Sequence, residues 1–140
     1  MKFTLFIADC TGNAANCLYP HDQEISTPEE LAAAIMKDQV FARYTGGYRS
    51  ITNFLESDVI PMDCDNDHSD NPEDWLTAEK LDEIFSDVDH VIFPSRHHMQ
   101  PKNGKAARPK YHILFPIASC TDPVMYAAVK GALQAKYDFF

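Results

Sequence analysis

The stretch Asp58-Val59-Ile60-Pro61-Met62-Asp63-Cys64-Asp65-Asn66-Asp67 decides how this chain is read. Val59 to Asp63 is a short run rich in apolar residues and predicts a strand, and the acidic residues that follow predict a loop. Side chains alternate along an extended backbone, so Asp63 and Asp65 project to one face while Cys64 turns to the other. Two carboxylates held that close repel each other, and a divalent cation is what commonly neutralises them. Asp63 and Asp65 are therefore candidate ligands of Mg²⁺ or Mn²⁺. An EF-hand-like calcium loop is the competitor, but its glycine and distant glutamate are not at their positions. The bland alternative is an exposed acidic turn, to which Asp67, Asp70, Glu73 and Asp74 are assigned.

Working outward, Phe3 to Ala8 alternates and predicts a strand, followed by a turn-rich stretch through His21 with Gly12, Asn13, Asn16 and Pro20. Thr27-Pro28-Glu29-Glu30 combines a capping hydroxyl, a proline at the first helical position and a glutamate able to bond back, so a helix is expected from there to about Asp38. Gly46-Gly47 between Tyr44 and Tyr48 is a hairpin-like signal. Thr77 is placed to cap a second helix to about Phe85, with Leu81, Ile84 and Phe85 on one face. His90 to Pro94 and Tyr111 to Ile117 predict strands. Asp122-Pro123 opens a final helix with Met125, Val129, Leu133 and Tyr137 near helical spacing. No repeat or linker interrupts the pattern. The expectation is one α+β domain over residues 1–140, a mixed β-sheet flanked by helices.

The chain has 140 residues, 45% of them hydrophobic, enough for a packed core, and its formal charge of −9 argues against a generic coat for nucleic acid or anionic membrane. No apolar run approaches the roughly 18 residues that span a bilayer, and the opening MKFTLFIADC lacks the features of a signal peptide, so a cytoplasmic protein with no membrane partner is expected. Cys10, Cys17, Cys64 and Cys120 do not read as a disulfide framework, and reduced thiols are the default. Cys10, Cys17 and His21 make only a weak zinc signal, because no fourth ligand is near.

The net charge hides a segregation. Residues 56–89 hold thirteen acids and one base, whereas residues 90–121 hold five bases and no acid. Solvated faces would explain this, but so would a metal site beside an anion site. The basic segment runs from Pro94-Ser95-Arg96-His97-His98 through Lys102 and Lys105 to Arg108-Pro109-Lys110-Tyr111-His112. Its Arg and Lys side chains suit phosphate oxygens as fork and point charge, with a histidine able to add a hydrogen bond. Adjacent His97 and His98 tend to point apart, and a lone His112 at a strand start is by base rate more often structural.

Taken in order, these pieces resemble the archaeo-eukaryotic primase superfamily, most closely the primase-polymerase domains of phage and integrative-element replication proteins. The resemblance covers about residues 40–137 and rests on Tyr48-Arg49-Ser50 with Asn53-Phe54, on Asp58 through Trp75, on Ser95-Arg96-His97-His98-Met99, and on Arg108 through Ile117. It implies an RRM-like catalytic core and a nucleotidyltransferase using divalent metal and nucleoside triphosphates to make or extend primers. Within it, Asp63 and Asp65 match the first metal motif, and His112 matches the histidine that contacts the incoming phosphates. Ser95 and Arg96 match the strand beside it, Arg108 and Lys110 join the nucleotide site, and Tyr48, Arg49 and Asn53 fall to single-stranded DNA template. A helicase domain or subunit is the implied partner.

Two departures qualify the match. The family's Ser-x-His reads Lys110-Tyr111-His112, and its third metal carboxylate follows the helix that ends near Tyr137, where Asp138 is a poor substitute. The apolar pair Phe139-Phe140 is expected to need covering, so a truncated, folded but poorly active chain is expected, and an extended one should polymerise. A catalytically silent nucleotide- or DNA-binding module and a small metal-dependent nuclease are the competing functions.

Overall fold

A computed structural model describes every residue except Met1, Lys102 and Asn103. The described residues form two β-sheets and three α-helices, a mixed α+β architecture. The chain divides into two compact units, residues 1–60 with 116–128, and residues 61–115 with 129–140. No helix among the described residues is long and apolar enough to cross a membrane.

In the first unit, strand β1 (Phe3–Ile7) lies at the centre of a sheet between β2 (His21–Ile25) and β3 (Gln39–Val40), both antiparallel to it. β1 is where the sequence puts it, and Phe3, Leu5, Phe6 and Ile7 are buried. β2 went unread because His-Asp-Gln-Glu offers no apolar alternation. It is an edge strand whose backbone pairs Phe3 with Ile25 through Ile7 with His21, and only Ile25 of its side chains is buried. Helix α1 (Pro28–Ala34) starts with the predicted capping box, the Thr27 hydroxyl accepting from Glu30 N–H while the Glu30 carboxylate accepts from Thr27 N–H. It ends four residues short of Asp38. That residue is recruited elsewhere, its N–H donating to Cys10 and its carboxylate accepting from the N–H groups of Gly12 and Asn13, both at 2.8 Å.

The hairpin signal at Gly46-Gly47 corresponds to a wider turn. β4 (Arg43–Tyr44) pairs antiparallel with β5 (Phe54–Cys64) across two short 3-10 turns. Gly47 is required there: its φ is +71°, and a Cβ would stand 2.9 Å from the Tyr19 carbonyl oxygen. Asp58 on β5 fastens β1 by accepting from Thr4 N–H at 2.9 Å and from the Thr4 hydroxyl at 3.0 Å.

The second sheet has the order β4-β5-β7-β6, with β6 at Val91–Pro94 and β7 at Tyr111–Cys120. β5 and β7 are longer than their apolar runs, because pairing continues past the residues that are buried. In the second unit, helix α2 (Ala78–Ile84) is capped by the Thr77 hydroxyl as expected and buries Leu81 and Phe85, but Ile84 is exposed. Helix α3 (Pro123–Lys136) begins with the Asp122 carboxylate accepting from Val124 and Met125. Of the residues at helical spacing, Met125 and Val129 are exposed, and in the first unit Tyr126 turns inward to donate to the Val59 carbonyl. Phe139 and Phe140 are partly buried within the second unit, ringed around Phe85 with Tyr137.

Candidate functional site

The end of β5 alternates as its residues dictate: Met62 is buried, Asp63 exposed and Cys64 buried, with Asp65 partly exposed just beyond. Asp63 and Asp65 thus share the open side. Burial pushes the Cys64 thiol up to about 11, so it is neither a thiolate ligand nor a nucleophile at neutral pH.

The neighbouring β7 segment meets these carboxylates with bases at the same two-residue spacing. His112 Nδ1 lies 2.5 Å from Asp63 Oδ1, and Lys110 Nζ lies 3.6 Å from Asp65 Oδ2. The His112 hydrogen bond holds the Asp63 carboxyl below the usual range, helped by the positive charges of His112 and of Lys130 on α3. Lys130 was missed from the sequence because it sits eighteen residues past His112, the last candidate site residue, inside an unremarkable helix. Partial burial lowers its own amine, an effect that Asp63 counters. The His112 ring packs 5.2 Å from that of Phe93, its register partner on β6, which fixes the ring's position.

Lys110 is held from behind. Its carbonyl accepts from Ser95 N–H at 2.9 Å, and His98 Nδ1 stands 3.0 Å from that carbonyl and 3.2 Å from the Lys110 nitrogen. Ser95 and Arg96 are not on a strand as the resemblance implies, because β6 stops at Pro94 and the chain turns over residues 96–99. Ser95 contributes its backbone to Lys110, and Arg96 is exposed on the turn. Lys102, within the basic segment, lies outside the described residues.

Arg108 is placed otherwise than expected. It is 2% exposed, and all three guanidinium nitrogens have acceptors inside the chain. Nη1 donates to the Asn66 carbonyl at 2.9 Å and the Ser69 carbonyl at 3.3 Å, Nη2 to Asp70 at 3.1 Å, and Nε faces the Ala106 carbonyl at 3.5 Å. Its plane also lies 5.1 Å from the Trp75 ring. A side chain so enclosed has no free edge for a phosphate, and Arg108 is the pin around which the acidic loop folds. Asp67 and Asp70, assigned to a merely solvated turn, are in fact part of this knot. Lys105 beside Asp67 holds that carboxyl low, with Lys110 and Arg108 adding to the effect.

Asn66, also missed, completes the knot. It is fully buried at φ +53°, a left-handed conformation that asparagine tolerates better than most residues. Its amide donates to the carbonyls of Leu76 and Pro109 and accepts from Leu76 N–H. An asparagine directly after two candidate ligands was the available signal.

In the first unit, Tyr48 and Arg49 are exposed beside Leu18 and Ile51, while the Asn53 amide is engaged with the Tyr48 carbonyl at 3.0 Å and orders the turn. Cys10 contacts Asp38, Cys17 contacts the Ala15 carbonyl, and His21 pairs with Asp9, so the three residues weighed for zinc have separate partners. All four cysteines are free thiols.

Among the described residues, no group of three or more His, Cys, Asp and Glu side chains is spaced to hold a metal ion. Asp63 and Asp65 present carboxylates on the open side at the end of β5, each beside a basic side chain. Two such donors would hold Mg²⁺ or Mn²⁺ only with water or phosphate oxygens supplying the rest of the shell. The bases beside it suit the anion that would bring those oxygens. No family model, curated protein or solved structure matches this chain.

Proposed function

We propose that this chain is a nucleotidyltransferase of primase-polymerase type, extending or initiating DNA primers from nucleoside triphosphates. The observation that carries the reading is the matched spacing of carboxylates and basic side chains, Asp63 and Asp65 against His112 and Lys110, at the open end of adjacent strands. Asp63 and Asp65 would hold Mg²⁺ or Mn²⁺, which supplies Lewis acidity to the attacking hydroxyl and the departing pyrophosphate. Lys110, His112 and Lys130 would neutralise the triphosphate oxygens, with Arg96 at the rim. In the first unit, Tyr48 and Arg49 would meet the single-stranded template by stacking and by charge. Replication of a mobile element or phage, beside a helicase and inside the cell, is the setting this reading implies.

A second reading has its own support. Each carboxylate already has a basic partner, as expected of a catalytically silent nucleotide-binding module. Template-primed dNTP incorporation with Mn²⁺ separates the two. The first reading expects extension by the parent chain and its loss, by a factor of 100 or more, in Asp63→Ala, the scale for losing a metal that positions and polarises the reactants. Nucleotide binding without incorporation would favour the silent module, and DNA cleavage without dNTP a nuclease.

A further inference from the structure

The two members of the Lys110–Asp65 pair are unequally placed. The Lys110 side chain is 8% exposed, whereas that of Asp65 is 47% exposed. A buried ammonium must keep a compensating negative charge close by, because its hydration has been removed. Asp65 can turn its charge toward solvent. The Lys110 side chain stays enclosed, on a backbone whose carbonyl accepts from Ser95 N–H and whose N–H meets His98 Nδ1.

From this asymmetry we infer that Lys110 is a resident counter-cation that couples the two halves of the ligand: it holds Asp65 until a divalent cation draws that carboxylate away, and then requires a phosphate oxygen in its place. The inference rests on the reading of Asp63 and Asp65 as metal ligands and adds how that site is regulated. A cation alone must break the Lys110–Asp65 pair and leave the buried ammonium with only Asp67, which Lys105 and Arg108 already engage, so it binds weakly. A cation arriving with a phosphate group leaves every charge matched. His112 is likewise less exposed than Asp63, its hydrogen-bond partner. Binding of metal and of anion is then positively coupled, and linkage requires the same factor in both directions. Lys110 is in this sense a positioning residue, which keeps the acid pair closed to bare cations.

The test is Mn²⁺ binding to the full chain, followed by water-proton relaxation, in chloride and in inorganic phosphate at equal ionic strength and corrected for Mn²⁺–phosphate association. The parent chain should bind Mn²⁺ about tenfold more tightly with phosphate, within the usual range of coupling between sites. Lys110→Met keeps the apolar stem and removes the charge. It should bind Mn²⁺ several-fold more tightly than the parent in chloride and show no enhancement by phosphate. A Lys110→Met chain that binds Mn²⁺ no better than the parent in chloride, or keeps the enhancement, overturns the inference. Asp65→Asn separates the layers: if it leaves Mn²⁺ affinity unchanged, the metal reading itself fails. If it weakens Mn²⁺ while phosphate gives the parent no enhancement, only the coupling fails. The reciprocal measurement, phosphate affinity of the parent with and without Mn²⁺, needs no variant and overturns the inference if the two affinities agree.

Discussion

Two acid–base clusters in the second unit are drawn from the same two segments, residues 63–70 and 108–112, and they behave differently. Around Arg108 the base is enclosed, all three of its nitrogens have acceptors, and backbone carbonyls of Asn66 and Ser69 do as much as the carboxylates. Around Asp63 and Asp65 the contacts are side chain to side chain, and the carboxylates face solvent. The first cluster is saturated and can accept nothing more. The second can exchange partners. Charge segregation along the chain therefore produced a structural knot and a candidate site side by side, and enclosure of the base by backbone acceptors is what separates them.

The largest effect should come from opening the knot. Arg108→Met removes the partner of two backbone carbonyls and the Trp75 contact, and should destabilise the chain by about 3 kcal/mol, the scale for breaking a buried charged cluster. Urea unfolding would show it, and a change under 1 kcal/mol would mean that the knot is no more structural than the site.

A smaller effect is expected at the open cluster. The His112 bond depresses the Asp63 carboxyl, so the pair adds stability above the ordinary carboxylate range near pH 4 and loses it as the pH falls through the lowered value. Asp63→Asn should cost at most about 1 kcal/mol at neutral pH, because the carboxylate is exposed and screened. The deficit should shrink below about pH 4. A deficit that grows on acidification would reverse the assigned sign.

The smallest effect tests the edge of the knot. Asp70 accepts from Arg108 but is 92% exposed, so Asp70→Ala should change stability by less than about 0.5 kcal/mol. A loss as large as that of Arg108→Met would shift the knot's strength from backbone acceptors to carboxylates.

The features legible in the chain are local. The Thr27 capping box, the Thr77 cap and the alternation that puts Asp63 and Asp65 on one face depend on residues within a few positions of one another, and backbone geometry fixes their relation wherever the segment packs. Even where local pattern succeeded it misjudged extent, as in α1, which stops where Asp38 is taken by the Gly12-Asn13 turn. The fate of each base was settled by long-range packing. Arg108 and Lys110 are two residues apart and look interchangeable in the sequence, yet one closes on carbonyls about forty positions away while the other meets a carboxylate. Lys130 joins them from a helix with no motif, and β2 forms from polar residues because β1 offers its backbone. Burial and pairing at long range set these outcomes, and no periodicity in the chain encodes them, since they depend on which distant groups are left needing a partner.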